Sequence, residues 1–242
     1  MPKLAANLSM LFPERPFLER FAAARAAGFR YVEYQFPYAE DPAAIAESAR
    51  ASGVQVVLHN LPAGDFAKGE RGIACLPGRE QDFRDGVERA IVYARAVGCA
   101  RLNCIAGLAP ADARHFDVFV ANLRHAARRL AEVGLDLLIE PINTRSVPGF
   151  FLTRSQQAID VLNAVGEGNA RLQYDAFHMQ IMEGDLACTI DRLLPRIGHV
   201  QIADVPDRHE PGSGEINFDF LLRHLDAIGY SGWVGCEYNP RG

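Results

Sequence analysis

The apolar residues of this sequence change period again and again. Short runs rich in aliphatic and β-branched residues are Leu4–Leu8, Tyr31–Tyr34, Val54–His59, Arg101–Cys104, Leu135–Glu140, Leu172–Asp175, His199–Ile202 and Trp233–Glu237. They alternate with longer segments of helical period: Pro16–Ala27, Asp41–Ser52, Arg79–Val97, Asp112–Val133, Ser155–Val165, Asp185–Leu194 and Phe218–Ile228. A glycine follows most of these segments and supplies the left-handed residue that ends a helix. Strand and helix alternating in units of about 30 residues make βα units and a parallel sheet. A doubly wound sheet commonly carries a glycine-rich phosphate loop after its first strand. Here that strand runs into Ser9-Met10-Leu11-Phe12-Pro13, with neither GxGxxG nor GxxxxGK[ST]. The pattern predicts an α/β fold, a single (β/α)8 barrel over residues 1–242 with no domain boundary. Only Tyr238–Gly242 follow Glu237, so the eighth helix is expected to be missing or truncated.

A chain of 242 residues is the size of one closed barrel. Its 49% hydrophobic and 23% charged residues are those of a soluble globular protein. The formal net charge of −5 argues against a general grip on nucleic acid or on an anionic membrane, which needs a basic surface. No apolar run approaches the roughly 18–20 residues of a membrane span. The N-terminus meets Pro13 and Glu14 before a signal-peptide core can form. The five scattered cysteines include no CxxC, which suits a reducing cytoplasm better than a disulfide framework or a zinc ribbon.

In a barrel of this kind, chemistry collects at the C-terminal ends of the strands. Glu140 ends the fifth run, Asp175 the sixth and Glu237 the eighth, while Gln201 lies on the seventh. Each of these residues alone has a plain structural explanation, as a helix-terminal charge, a loop ion pair or a polar side chain. Together they place four oxygen-bearing side chains at similar heights on four neighbouring strands. Each acid follows apolar residues, where an unpaired charge is costly to bury. A shared divalent cation accounts for all four. Three carboxylates and an amide oxygen without cysteine are hard ligands that suit Mg²⁺ or Mn²⁺ rather than zinc. Such an ion polarises the carbonyl of a hydroxy ketone. Glu140 and Glu237, from non-adjacent strands, can flank the substrate as an acid–base pair. His178 and His199 are read as neighbours of the site, His199 one layer deeper in the barrel.

Several longer motifs carry a resemblance. They are Glu140-Pro-Ile-Asn, Tyr174-Asp175-x-x-His178, His199-Val-Gln201-Ile-Ala, Arg208-His-Glu-Pro, Gly235-Cys-Glu237-Tyr and the loop Gly69–Arg79. From Leu4 to Pro240 the chain resembles the hydroxypyruvate isomerase and 2-oxo-tetronate isomerase family, within the xylose-isomerase-like barrels. The resemblance implies metal ligands Glu140, Asp175, Gln201 and Glu237, with Glu140 and Glu237 as the acid–base pair. It implies isomerisation of hydroxypyruvate to tartronate semialdehyde, through an enediol. The alternatives are isomerisation of a four-carbon oxo-acid, the 2-oxo-tetronate reaction, or a ketose 3-epimerase. Sugar epimerases of the superfamily usually carry histidine where this chain has Gln201, which lowers the last option.

A substrate carboxylate needs a cationic or hydrogen-bonding partner. The candidates for substrate binding are His59, Arg71, His178, Arg208 and His209. Gly64, Gly69, Gly72 and Gly78 make the segment Pro62–Gly78 a candidate lid that brings Arg71 to the barrel mouth. A multi-zinc nuclease needs more histidines and a basic track than this chain has. A binding barrel without catalysis would be expected to lack one of the two glutamates. The expected partner is a small oxo-acid or ketose, with no nucleic acid and no membrane, and a homo-oligomer is compatible with this reading.

Overall fold

The computed structural model describes residues 2–241. Eight parallel strands close into a barrel in sequence order: β1 (Lys3–Asn7), β2 (Tyr31–Tyr34), β3 (Gln55–Asn60), β4 (Arg101–Cys104), β5 (Asp136–Ile139), β6 (Ala170–Asp175), β7 (Ile197–Ile202) and β8 (Trp233–Cys236). Closure is made by β1 pairing with β8, Lys3 opposite Trp233 through Ala6 opposite Cys236. The helices are α1 (Arg20–Ala26), α2 (Pro42–Ser52), α3 (Glu80–Val97), α4 (Ala113–Ala131), α5 (Ser155–Val165), α6 (Ala176–Met182), α7 (Leu186–Leu193) and α8 (Phe218–Ala227). Residues 237–241, beyond β8, form neither helix nor strand. No helix among the described residues is long and apolar enough to cross a membrane.

Local chemistry explains these elements. In α2 the Asp41 side chain accepts from the Ala43 N–H at 3.1 Å, Pro42 opens the first turn, and Gly53 closes the helix at φ 67°. The buried residues of α4, Phe119, Leu123, Ala126, Ala127 and Leu130, recur at helical spacing and face the barrel. Leu123 is fully buried, so Leu123→Ala is expected to cost about 2–5 kcal/mol through lost burial and the cavity left behind. Urea unfolding followed by circular dichroism reads this directly. A change under about 0.5 kcal/mol would show that the helix layer does not pack as described.

Two features were not legible as elements. Ala176–Met182 is not among the helical segments read from the sequence but forms α6, because the Asp175 carboxylate at the end of β6 accepts from the Phe177 N–H at 2.8 Å and caps it. Seven residues are too few to show a helical period. Register also shifts between Val32 and Glu33 on β2 and between Leu172 and Gln173 on β6. Such irregularities re-aim side chains, and both of these precede polar residues buried inside the barrel, Glu33 and Gln173.

Candidate active site

The C-terminal strand ends bring buried polar side chains together. Glu140 follows β5, Asp175 ends β6, Gln201 lies on β7 and Glu237 follows β8, and none is more than 5% exposed. Asparagine and glutamine amides hold the two glutamates. Asn103 Nδ2 and Gln173 Nε2 donate to Glu140 Oε2 at 2.9 and 3.0 Å. Asn7 Nδ2 and Gln35 Nε2 donate to Glu237 Oε1, both at 3.0 Å. The same Gln173 amide donates to Gln201 Oε1 at 2.6 Å. Arg208 reaches in from the loop after β7, its guanidinium 2.5 Å from Glu237 Oε2 and 3.6 Å from Asp175 Oδ2.

Ligand atoms of Glu140, Asp175 and His178 lie within 4.8 Å of one another, the spacing of a metal site. Among the four ligands expected from sequence, Glu140 and Asp175 are thus drawn together with His178. Glu237 is turned toward Arg208 and the Gln201 oxygen toward Gln173. His178 Nε2 stands 3.6 Å from Asp175 Oδ2 and 3.8 Å from Glu140 Oε1. Its Nδ1 lies 2.6 Å from the Asn143 amide nitrogen. A nitrogen that accepts from Asn143 leaves the proton on Nε2, aimed at the acids.

Burial and mutual repulsion both act on these carboxyls. Burial pushes the Glu140 carboxyl well above the usual carboxylate range, and Glu237 and Asp175 push it further. Burial likewise raises Asp175 to about 7 against the opposing pull of Arg208. Burial also raises Glu237, again opposed by Arg208. His178 is held well below its ordinary value by burial and then by Arg208. Asp175 Oδ2 is buried and has no hydrogen-bond partner. Three carboxylates around one guanidinium, one oxygen of them orphaned, fit a divalent cation.

The site opens into a cavity of about 180 Å³. Glu140, Glu237, His178, Arg208, Arg71, Asn60 and Gln35 supply its polar wall, and Phe36, Phe66, Ile105, Ile142, Val147 and Phe150 its apolar one. Phe66 and Arg71 come from the Pro62–Gly78 segment. There Arg71 lies over the Phe66 ring, 4.6 Å from its centroid, and donates to the Phe66 and Glu70 carbonyls at 3.2 and 2.7 Å. A larger cleft of about 380 Å³ at the opposite end of the barrel, lined by Arg101, Asp136 and Arg171 among others, holds no such carboxylate cluster among the described residues.

Two substrate candidates do not line the active-site cavity. His59 is fully buried and stacked on Tyr34, with ring centroids 5.9 Å apart. Burial lowers it to about 4, the behaviour of a neutral core histidine. It alternates with Asn60 on β3, and Asn60 takes the cavity-facing place. His209 turns outward, its Nδ1 2.7 Å from the Asn239 carbonyl. Conversely, Asn7, Glu33, Asn103 and Gln173 were not singled out in the sequence. Glu33 carried a usable signal, an acid between Val32 and Tyr34 in mid-strand. The amides carried none, since lone asparagine and glutamine are common everywhere.

Comparison with known proteins identifies the family. The profile of the family described as xylose isomerase-like TIM barrel matches residues 21–242. Hydroxypyruvate isomerase of Escherichia coli K12 is 50% identical over the whole chain and 95% of its own length. The 2-oxo-tetronate isomerase of Cupriavidus necator is 49% identical over the whole chain and 94% of its length. A crystal structure titled AP endonuclease, family 2, from Brucella melitensis superposes with a TM-score of 0.97 at 46% identity, covering 100% of this chain and 95% of that one. An L-ribulose 3-epimerase shares the fold, with a TM-score of 0.80 at 23% identity, over 98% of this chain and 82% of that one. The chain is an isomerase of the xylose isomerase-like TIM barrel family, belonging with the hydroxypyruvate and 2-oxo-tetronate isomerases.

Proposed function

We propose that the chain interconverts hydroxypyruvate and tartronate semialdehyde by proton transfer through an enediol. The observation that carries this reading is the paired setting of Glu140 and Glu237. Each has one oxygen fixed by two amides, Glu140 Oε2 and Glu237 Oε1, and both side chains line the cavity. The amides hold each carboxylate in place; Glu140 Oε1 is left for proton transfer, while Glu237 Oε2 pairs with Arg208 and takes a proton only by giving up that contact. One glutamate removes the proton from C3, the hydroxymethyl carbon, and a proton is returned to C2. Movement of a proton between the two substrate oxygens completes the aldehyde. Glu140, Asp175, Gln201 and Glu237 would hold Mg²⁺ or Mn²⁺, which supplies polarisation of the carbonyl and compensation for charge on the substrate oxygens. His178, with its proton on Nε2, is placed to donate to an oxygen of the substrate. Phe36, Phe66 and Phe150 restrict water at the reacting carbons.

Arg71 and Arg208 put positive charge on the cavity wall, which suits a substrate carboxylate. Arg71→Ala is expected to raise KM for hydroxypyruvate by about 10-fold or more, the worth of a charged hydrogen bond, and to change KM for a neutral ketose little. Equal effects on both substrates would remove Arg71 from carboxylate recognition. All five cysteines are free and four are buried, in keeping with a cytoplasmic enzyme.

Proton NMR in D₂O of the purified protein with hydroxypyruvate, the four-carbon 2-oxo-tetronate acid and neutral ketoses tests the assignment. Growth of an aldehyde signal from hydroxypyruvate is the expected result. Preferred turnover of the four-carbon acid would move the assignment to the reaction named for the Cupriavidus relative. Turnover confined to neutral ketoses, with inversion at C3, would overturn the isomerase reading in favour of an epimerase.

A further inference from the structure

Beneath the carboxylate cluster lies a charged residue that none of the chemistry above uses. Glu33 on β2 is fully buried inside the barrel. Its Oε1 accepts from Gln201 Nε2 at 2.7 Å and from Asn7 Nδ2 at 3.0 Å, and its Oε2 lies 2.6 Å from His199 Nε2. Glu33 thus touches Gln201 directly and reaches Glu237 through Asn7, whose single amide nitrogen donates to both carboxylates. On β8, which does not pair with β2, a glycine leaves room for it. A Cβ at Gly235 would overlap both Glu33 carboxylate oxygens. The register shift between Val32 and Glu33 sits at the same point. Burying a carboxylate is costly unless it is paired and hydrogen-bonded, and here every contact is with a donor.

We propose that Glu33 is a positioning residue for the cation site: it holds the Gln201 amide nitrogen so that the Gln201 oxygen faces the acidic cluster, and through Asn7 it holds Glu237. The inference rests on the cation site proposed above. An amide carries a donor on one side and an acceptor on the other, and only a neighbour that distinguishes them sets which side points where. Glu33 accepts and cannot serve the amide oxygen. Gln173 Nε2, on the opposite side, donates to that oxygen and enforces the same orientation. This arrangement also explains why position 201 is an amide. A carboxylate there would stand within hydrogen-bond distance of Glu33 with no proton between them.

The test is Mn²⁺ titration of the chelator-stripped protein, with free Mn²⁺ read by electron paramagnetic resonance and folding checked by thermal circular dichroism. Glu33→Gln is expected to weaken Mn²⁺ binding by about 10–100-fold, as loss of a ligand-orienting partner typically does. Gln201→Glu alone is expected to weaken it too, although added negative charge should by itself tighten cation binding. The double variant Glu33→Gln with Gln201→Glu reverses donor and acceptor across the contact and is expected to recover most of the affinity. A role in stability alone predicts no such rescue. Unchanged binding in Glu33→Gln, or tighter binding in Gln201→Glu, would overturn the inference while the cation site stands. If Glu33→Gln does not fold, the Gln201→Glu arm decides it. Failure of the parent protein to bind Mn²⁺ would overturn both the site and the inference.

Discussion

Glu140→Gln and Glu237→Gln are each expected to lower kcat by about 10²–10⁴-fold, the usual worth of a positioned acid or base. The substitution keeps volume and an amide oxygen but removes the group that takes and returns the proton. Burial raises both carboxyls above the ordinary carboxylate range, with Glu237 and Asp175 adding to the effect at Glu140. Arg208 and Gln35 counter the rise at Glu237. The two variants should differ in a second measurement, wash-in of solvent deuterium at the substrate C3. Loss of exchange in only one variant identifies it as the residue that removes the proton. Full activity in either, with the ion still bound, would falsify the two-glutamate mechanism and leave that residue as a ligand.

Chelation of divalent cations is expected to abolish turnover and to lower the melting temperature in a pH-dependent way. At a concentration about 100 times Kd, an ion that binds only the folded chain adds about 2.7 kcal/mol. The sign of the pH effect follows from Asp175, which the metal-free fold pushes up to about 7, chiefly by burial. Its unfolded value is about 4. A carboxyl raised on folding favours the native state below its unfolded value and loses that contribution as pH rises through its folded one. The melting temperature of the metal-free protein should therefore fall between about pH 4 and pH 7 and level off above that, and saturating Mn²⁺ or Mg²⁺ should flatten the fall. Scanning calorimetry across that range provides the check. A flat or rising profile after chelation, with kcat intact, would remove the cation from both stability and reaction.

Much of the architecture was already present in the linear pattern. Strand and helix have different side-chain periods, so Tyr31–Tyr34 and Arg101–Cys104 could be bounded correctly from apolar runs alone. Ser155–Val165 could be bounded from its helical period and the glycine after it. The strand-end acids were legible for a related reason. Glu140, Asp175 and Glu237 each break an apolar run where a barrel opens to solvent, so their chemistry and their place arrive together.

What the sequence could not express is neighbourhood across the closed sheet. Asn7 and Glu237 are 230 positions apart and become hydrogen-bonded only because β1 pairs with β8. Glu33 and His199 meet across the barrel interior, where neither strand alone signals a partner. The choice between His59 and Asn60 for the cavity depends on how β3 is rotated about its axis, since adjacent residues on a strand face opposite ways. The pairing of Arg208 with Glu237 and Asp175 depends on a loop folded around Asp204, whose carboxylate accepts from the Val205, Gly212, Gly214 and Ile216 N–H groups. Periodicity is a local property carried by each segment, so the sequence by itself determined the strands, every helix but α6, their order and the acids at the strand ends. Contacts between side chains from distant strands depend on strand register and barrel closure, so only the tertiary structure decided which amides hold which carboxylates and which residues line the cavity.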